Sequence, residues 1–353
     1  MVTWRCVFFF TIRMSGMIYL CDPATHRGIA RRVFLPRYRL APQSPFPAAL
    51  IDALISYLYL LYPPPGALHS PVPPSKIIIA GDSAGGGLAF ALLQLLLHLN
   101  RTTGLSSGGE GESSSLTSSR KNYSISWQSS QRPIPLPGGI VGVSSWVDIS
   151  RCLGEIRLPN GNRGSEEECR DWDYLPTPTD YTGRKYPPSP AWPENPGRRH
   201  FYAPDELITH PLVSPIIAES WHGSPPIWVC IGDECLRDSN FFFTHRLLES
   251  SVCVRFLKFT AMPHCFPVVI PHLDVSRMCI ANMGEFMGSI FTSGSAKAGQ
   301  TRFNSKGDSE RVVPDELGLG GLKLEDVAAL MKNAVKLWEE QAQRQKEKET
   351  PRL

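Results

Sequence analysis

A single serine, Ser83, sits in Gly81-Asp82-Ser83-Ala84-Gly85, a Gly-x-Ser-x-Gly pentapeptide. Before it runs the short β-branched stretch Lys76 to Ala80, and after it LAFALLQLLLHL, from Leu88 to Leu99, is apolar and rich in helix formers. In a strand-turn-helix context this pentapeptide forces its serine onto a tight turn above a sheet, with glycines where a Cβ would clash. The start of the following helix supplies free N–H groups and a positive dipole end for a developing oxyanion. Ser83 therefore reads as a nucleophile. The plainer reading is a glycine-rich turn that packs or binds phosphate, but neither a Walker A lysine nor G-x-G-x-x-G with a ribose-binding acid accompanies it.

A serine nucleophile needs a histidine base and an orienting acid, which in such sheets follow in the order Ser, acid, His. Both types occur downstream, each just past an apolar run. PIWVCI (Pro226 to Ile231) is followed by Gly232-Asp233-Glu234-Cys235-Leu236-Arg237-Asp238, and VCVRFLKF (Val252 to Phe259) by Thr260-Ala261-Met262-Pro263-His264. Ligands meet open α/β sheets at such strand ends. A lone loop histidine is usually structural; its place after the last apolar run marks His264 as the base. Asp233, Glu234 and Asp238 all qualify as its acid.

Positioning these residues requires a sheet, and the apolar pattern supplies one. Pro47 to Tyr62 reads as a mostly buried helix stopped by Pro63-Pro64-Pro65, Gly138 to Ile149 as a strand and its loop, and Phe241 to Ser250 as a helix between the last two strands. Strands alternating with helices predict an α/β fold, a mostly parallel central sheet flanked by helices. Cys6 to Cys21 is too short and too interrupted, by Arg13 and Ser15-Gly16, for a bilayer span of about 20 apolar residues. It lacks the charge pattern and cleavage site of a secretory signal, so it is expected as a strand, with Val7 to Ile12 serving at one edge of the sheet.

The chain has 353 residues, 42% of them hydrophobic, and a net charge of +3, with 36 basic residues dispersed among 33 acids. That mixture gives no concentrated basic face for nucleic acid. Nine scattered cysteines without metal-ligand spacing suit reduced thiols and a cytoplasmic location, with no metal site. Arg101 to Gln131 is so rich in Ser and Gly that it is expected as a disordered insertion. Residues 151–200 read as an irregular, cap-like excursion; Trp146, Val147 and the aromatic stretch Trp172 to Trp192 either pack or line an apolar pocket. Residues 293–320 read as a polar linker. Beyond it, Leu324, Val327, Ala328, Met331, Val335 and Trp338 recur at helical spacing, so 321–353 is expected as an amphipathic helix and tail that packs on the domain or meets a partner.

Ordered motifs extend well beyond the serine. Tyr38-Arg39-Leu40-Ala41-Pro42, Phe46-Pro47-Ala48-Ala49 with Asp52, Gly81-Asp82-Ser83-Ala84-Gly85-Gly86, His210-Pro-Leu-Val-Ser-Pro215, Leu236-Arg237-Asp238 and Met262-Pro-His264 follow one another along the chain. Together they resemble the hormone-sensitive-lipase-like esterases of the α/β-hydrolase superfamily, over about residues 23–291. The resemblance implies an α/β-hydrolase domain at 1–292 that cleaves carboxylic esters of short to medium or lipid-like acyl chains, with no cofactor. It implies Glu234 as the acid, through Glu234-Cys-Leu-Arg-Asp238 in place of D-x-L-x-D, with Asp238 and Asp233 as alternates. It also implies an oxyanion hole from the Ala84 N–H and the loop at Ser15 and Gly16. That loop departs from the family's His-Gly-Gly-Gly, which leaves a catalytically impaired binder of a small apolar ligand as the alternative. The family's first strands and N-terminal cap helices are not expected in this chain.

Overall fold

The computed structural model describes residues 6–10, 32–105, 124–156, 158, 161–176, 200–312 and 319–349. In chain order the strands are β1 (Cys6–Phe10), β2 (Arg32–Phe34), β3 (Ile77–Asp82), β4 (Ser124–Trp127), β5 (Ser130–Pro133), β6 (Gly139–Val143), β7 (Ile227–Gly232), β8 (Val254–Phe259), β9 (Gly299–Phe303) and β10 (Ser309–Arg311). The helices are α1 (Ala48–Leu61), α2 (Ala84–Leu105), α3 (Cys152–Glu155), α4 (Ser165–Glu168), α5 (Arg237–Glu249), α6 (Phe266–Val269), α7 (Asp274–Ser293) and α8 (Leu324–Glu349).

Eight strands form one sheet in the order β10-β9-β8-β7-β6-β3-β1-β2, parallel throughout except for the β9–β10 pair. This is the mostly parallel, helix-flanked sheet that the sequence predicts. Strands β3, β6, β7 and β8 are buried at every residue. They are near-continuously apolar because both faces are covered. Alternate side chains serve the two faces: Ile77, Ile79, Ile140, Val229 and Phe256 share a core with α1, α2 and α5, whereas Ile78, Val141, Trp228 and Leu257 pack against Phe286, Met287 and Ile290 of α7. Each large apolar side chain so buried stabilises the fold by ~1.5–3 kcal/mol.

Several boundaries differ from expectation. β1 lies inside the sheet, paired in parallel with both β2 and β3, and not at its edge; residues 11–31 lie outside the described residues. The expected insertion is ordered at both ends. Arg101 continues α2 and donates to the Ser220 and His222 carbonyls, and β4 and β5 form a hairpin whose Trp127 Nε1 donates to Tyr62 O. Only 106–123 of that stretch lie outside the described residues. The expected linker at 293–320 instead extends the sheet, because β9 pairs with β8 and turns back as β10. Its strand residues are half-buried or exposed, so no apolar run announced them. The cap-like excursion carries two short helices with Cys152, Leu153, Leu158 and Cys169 buried; residues 177–199, including Trp192, lie outside the described residues. α8 turns its stripe inward, burying Val327, Met331, Ala334 and Trp338 in the larger core. Among the described residues no helix is long and apolar enough to cross a membrane.

Candidate active site

Because β3, β7 and β8 run in parallel, the loops that leave them emerge along one edge of the sheet. The β3 loop carries Ser83, the β7 loop Glu234 and the β8 loop His264. Ser83 takes a left-handed backbone, φ +52°, between β3 and α2, a conformation that costs a non-glycine residue about 1–3 kcal/mol. The turn is held by Ser83 N donating to Val143 O at 2.9 Å, and by Trp146 N and Gly87 N donating to Ser83 O. It closes only because position 81 lacks a side chain: a Cβ on Gly81 would stand 2.2 Å from Gly85 O. The acid and histidine loops approach as closely, since a Cβ on Gly232 would stand 2.1 Å from Met262 O.

The three side chains meet. His264 Nδ1 lies against Glu234 Oε2 in a very short contact, and His264 Nε2 is 2.8 Å from Ser83 Oγ. A carboxylate can only accept, so Nδ1 carries the proton and donates to Glu234, and Nε2 accepts from the Ser83 hydroxyl. Both Glu234 and His264 are buried. An imidazole so held can draw the proton from a serine hydroxyl and keep the resulting positive charge beside a carboxylate.

The other acids go elsewhere. Asp233 accepts from Ala261 N at 2.9 Å and pairs with Lys258 at 3.0 Å. Asp238 is fully buried on Arg237 Nε (3.0 Å) and Ser165 N (2.6 Å), and burial raises its pKa. Neither makes a contact to the imidazole among these bonds. Ala84 opens α2 and lines the same cavity as Ser83. Ser15 and Gly16 lie outside the described residues.

That cavity has a volume of about 280 Å³. Trp146, Leu88, Ala91, Leu175 and Val213 form apolar parts of its wall, and Tyr38 is one of its polar members. Burial and then the Asp82 charge push the Tyr38 phenol up to about 12, so its hydroxyl stays protonated. Of the pocket candidates picked out in the sequence, Trp146 lines the cavity, Val147 is core and Trp172 faces solvent.

A second nucleophile type lies close by. Cys265 Sγ is 3.4 Å from His264 Nε2, but burial, with the Asp82 and Glu234 charges adding to it, holds this thiol well above its ordinary pKa. A neutral buried thiol is a poor nucleophile. Cys265 is legible as the neighbour of His264. Asp173 and Tyr174, which bond the histidine loop, carried no signal in spacing, because they sit in an excursion without periodicity. Among the described residues no group of three or more His, Cys, Asp or Glu is arranged to hold a metal ion.

Comparison with known proteins gives this chain its relatives. An acetyl-hydrolase of Streptomyces hygroscopicus is 26% identical over 282 residues, 77% of this chain and 73% of that protein. Among solved structures, an esterase from the bacterial hormone-sensitive lipase family is 26% identical and superposes with a TM-score of 0.50, covering 82% of this chain and 78% of its own. A hormone-sensitive lipase from a metagenome library, 23% identical over 81% of this chain and 78% of its own, shares the fold with a TM-score of 0.53. A family model described as alpha/beta hydrolase fold matches residues 19–122 and 181–268, more than half of the chain. The strand order, the serine turn and this match agree: the chain belongs to the α/β-hydrolase fold family.

Proposed function

We propose that the protein is a serine carboxylic-ester hydrolase that works through an acyl-enzyme. His264 Nε2 takes the Ser83 proton as Oγ attacks the ester carbonyl. Glu234 holds the imidazolium in the productive orientation, and the tetrahedral oxyanion is bound by the Ala84 N–H together with main-chain donors at Ser15 and Gly16. Collapse expels the alcohol with the proton from His264, and water activated by the same imidazole releases the acid. Ester groups of short to medium length, or lipid-like chains that enter in part, suit an apolar cavity of about 280 Å³.

The observation that carries this reading is the 2.8 Å contact between Ser83 Oγ and His264 Nε2 at the wall of that cavity, with the second ring nitrogen on a buried carboxylate. Hydrolysis of p-nitrophenyl acetate and butyrate tests it. Ser83→Ala is expected to lower kcat by ~10⁴-fold or more while apolar ligands still bind. Wild-type rates in that variant would refute the serine mechanism. The rival reading, a hydrolase-fold protein that binds a small apolar ligand without turnover, draws support from Met14-Ser15-Gly16-Met17 standing where the family has His-Gly-Gly-Gly. It predicts ligand binding and no turnover in the wild-type chain.

A further inference from the structure

His264 is gripped from outside the sheet. Its backbone N–H donates to Asp173 Oδ1 at 3.2 Å, and its backbone carbonyl accepts from the Tyr174 hydroxyl at 2.8 Å. The Tyr174 ring also stands edge-on to the imidazole, 5.8 Å between centroids. The other oxygen of Asp173, Oδ2, accepts from Cys235 N at 2.9 Å, the residue after Glu234. One buried carboxylate thus ties the acid loop to the histidine loop, and Leu175, two residues further on, lines the cavity that Ser83 also lines. Asp173 is itself anchored in the excursion, its N–H donating to Cys169 O at 2.9 Å.

We propose that Asp173 and Tyr174 are positioning residues: a strap from the excursion that sets the distance between the acid and histidine loops and fastens both to the cavity wall. The proposal rests on the serine-hydrolase reading of the same site. Its physical basis is that Nε2 must stay within hydrogen-bond reach of Oγ while Nδ1 stays on Glu234, two constraints on one ring. Parallel strands fix only where the two loops begin. Of the backbone N–H groups that Asp173 accepts, those of Cys235 and His264 belong to buried residues, where water cannot replace a lost acceptor. In Asp173→Asn one of them would face an amide N–H, and the loops would separate.

The test is the kinetics of the full chain with p-nitrophenyl butyrate, normalised to folded protein and run beside Ser83→Ala. Asp173→Asn is expected to lower kcat roughly 10- to 100-fold, the cost typical of small misplacement of a reacting group, with KM changed less than about two-fold. Tyr174→Phe removes one hydroxyl from a ring that is 46% exposed; it leaves folding intact and is expected to lower kcat in the same sense, by several-fold. If Ser83→Ala is inactive while both variants keep wild-type kcat and KM per folded molecule, the strap is wrong and the hydrolase reading stands. If the variants lose activity only in proportion to folded protein, their role is structural and the proposal fails. If Ser83→Ala keeps full activity, the serine mechanism fails and the strap with it. Where Asp173→Asn does not fold, Tyr174→Phe decides alone.

Discussion

Glu234 and Asp238 are four residues apart, both fully buried, and they belong to two different regions of the molecule. Glu234, in the β7 loop, faces one ring nitrogen of His264, whose other nitrogen is at Ser83. Asp238, in the first turn of α5, faces the excursion: Arg237 and Ser165 N satisfy it, Glu168 also bonds Arg237, and nearby Arg151 pairs with Glu166. In the second region each charge has an opposite charge or backbone donor beside it. In the first region a neutral ring stands between a donor and an acceptor at the edge of a cavity, so a proton can move. Burial alone therefore does not separate the two carboxylates; their partners do.

Removing each acid in turn breaks this contrast in opposite ways. Glu234→Gln preserves shape but offers the imidazole a wrong partner, so kcat for p-nitrophenyl esters is expected to fall ~10⁴-fold while thermal stability changes little. Asp238→Asn is expected to do the reverse. It uncouples a buried ion pair, which costs about 3–5 kcal/mol and lowers Tm on the order of 10 °C by calorimetry, while kcat per folded molecule stays within about three-fold of wild type. If Asp238→Asn instead silenced the site and Glu234→Gln did not, the roles assigned to the two carboxylates would be exchanged.

The same contrast explains what was legible in the sequence. Ser83 and His264 could be read because each follows a fully buried strand, and parallel buried strands are continuous apolar runs. The acid loop could be located but not resolved. Asp233, Glu234 and Asp238 lie close together in sequence, and their directions are set by contacts from Lys258, His264 and Ser165, distant in sequence; only the family resemblance favoured Glu234. Strands β9 and β10 carry no such signal because a half-buried or exposed hairpin at the sheet edge needs no apolar run. Asp173 escaped for a different reason: its work is to accept hydrogen bonds from backbone N–H groups, and those leave no pattern in the identities of Cys235 or His264.

The central claim is that Ser83 is activated by His264 and attacks a carbonyl or a mimic of one. Treating the folded chain with a fluorophosphonate and mapping the modified peptide by mass spectrometry measures this directly. The account predicts one adduct, on Ser83, formed faster than reagent hydrolysis and abolished in His264→Ala. A folded chain that takes no label, or takes it on Cys265, would contradict it.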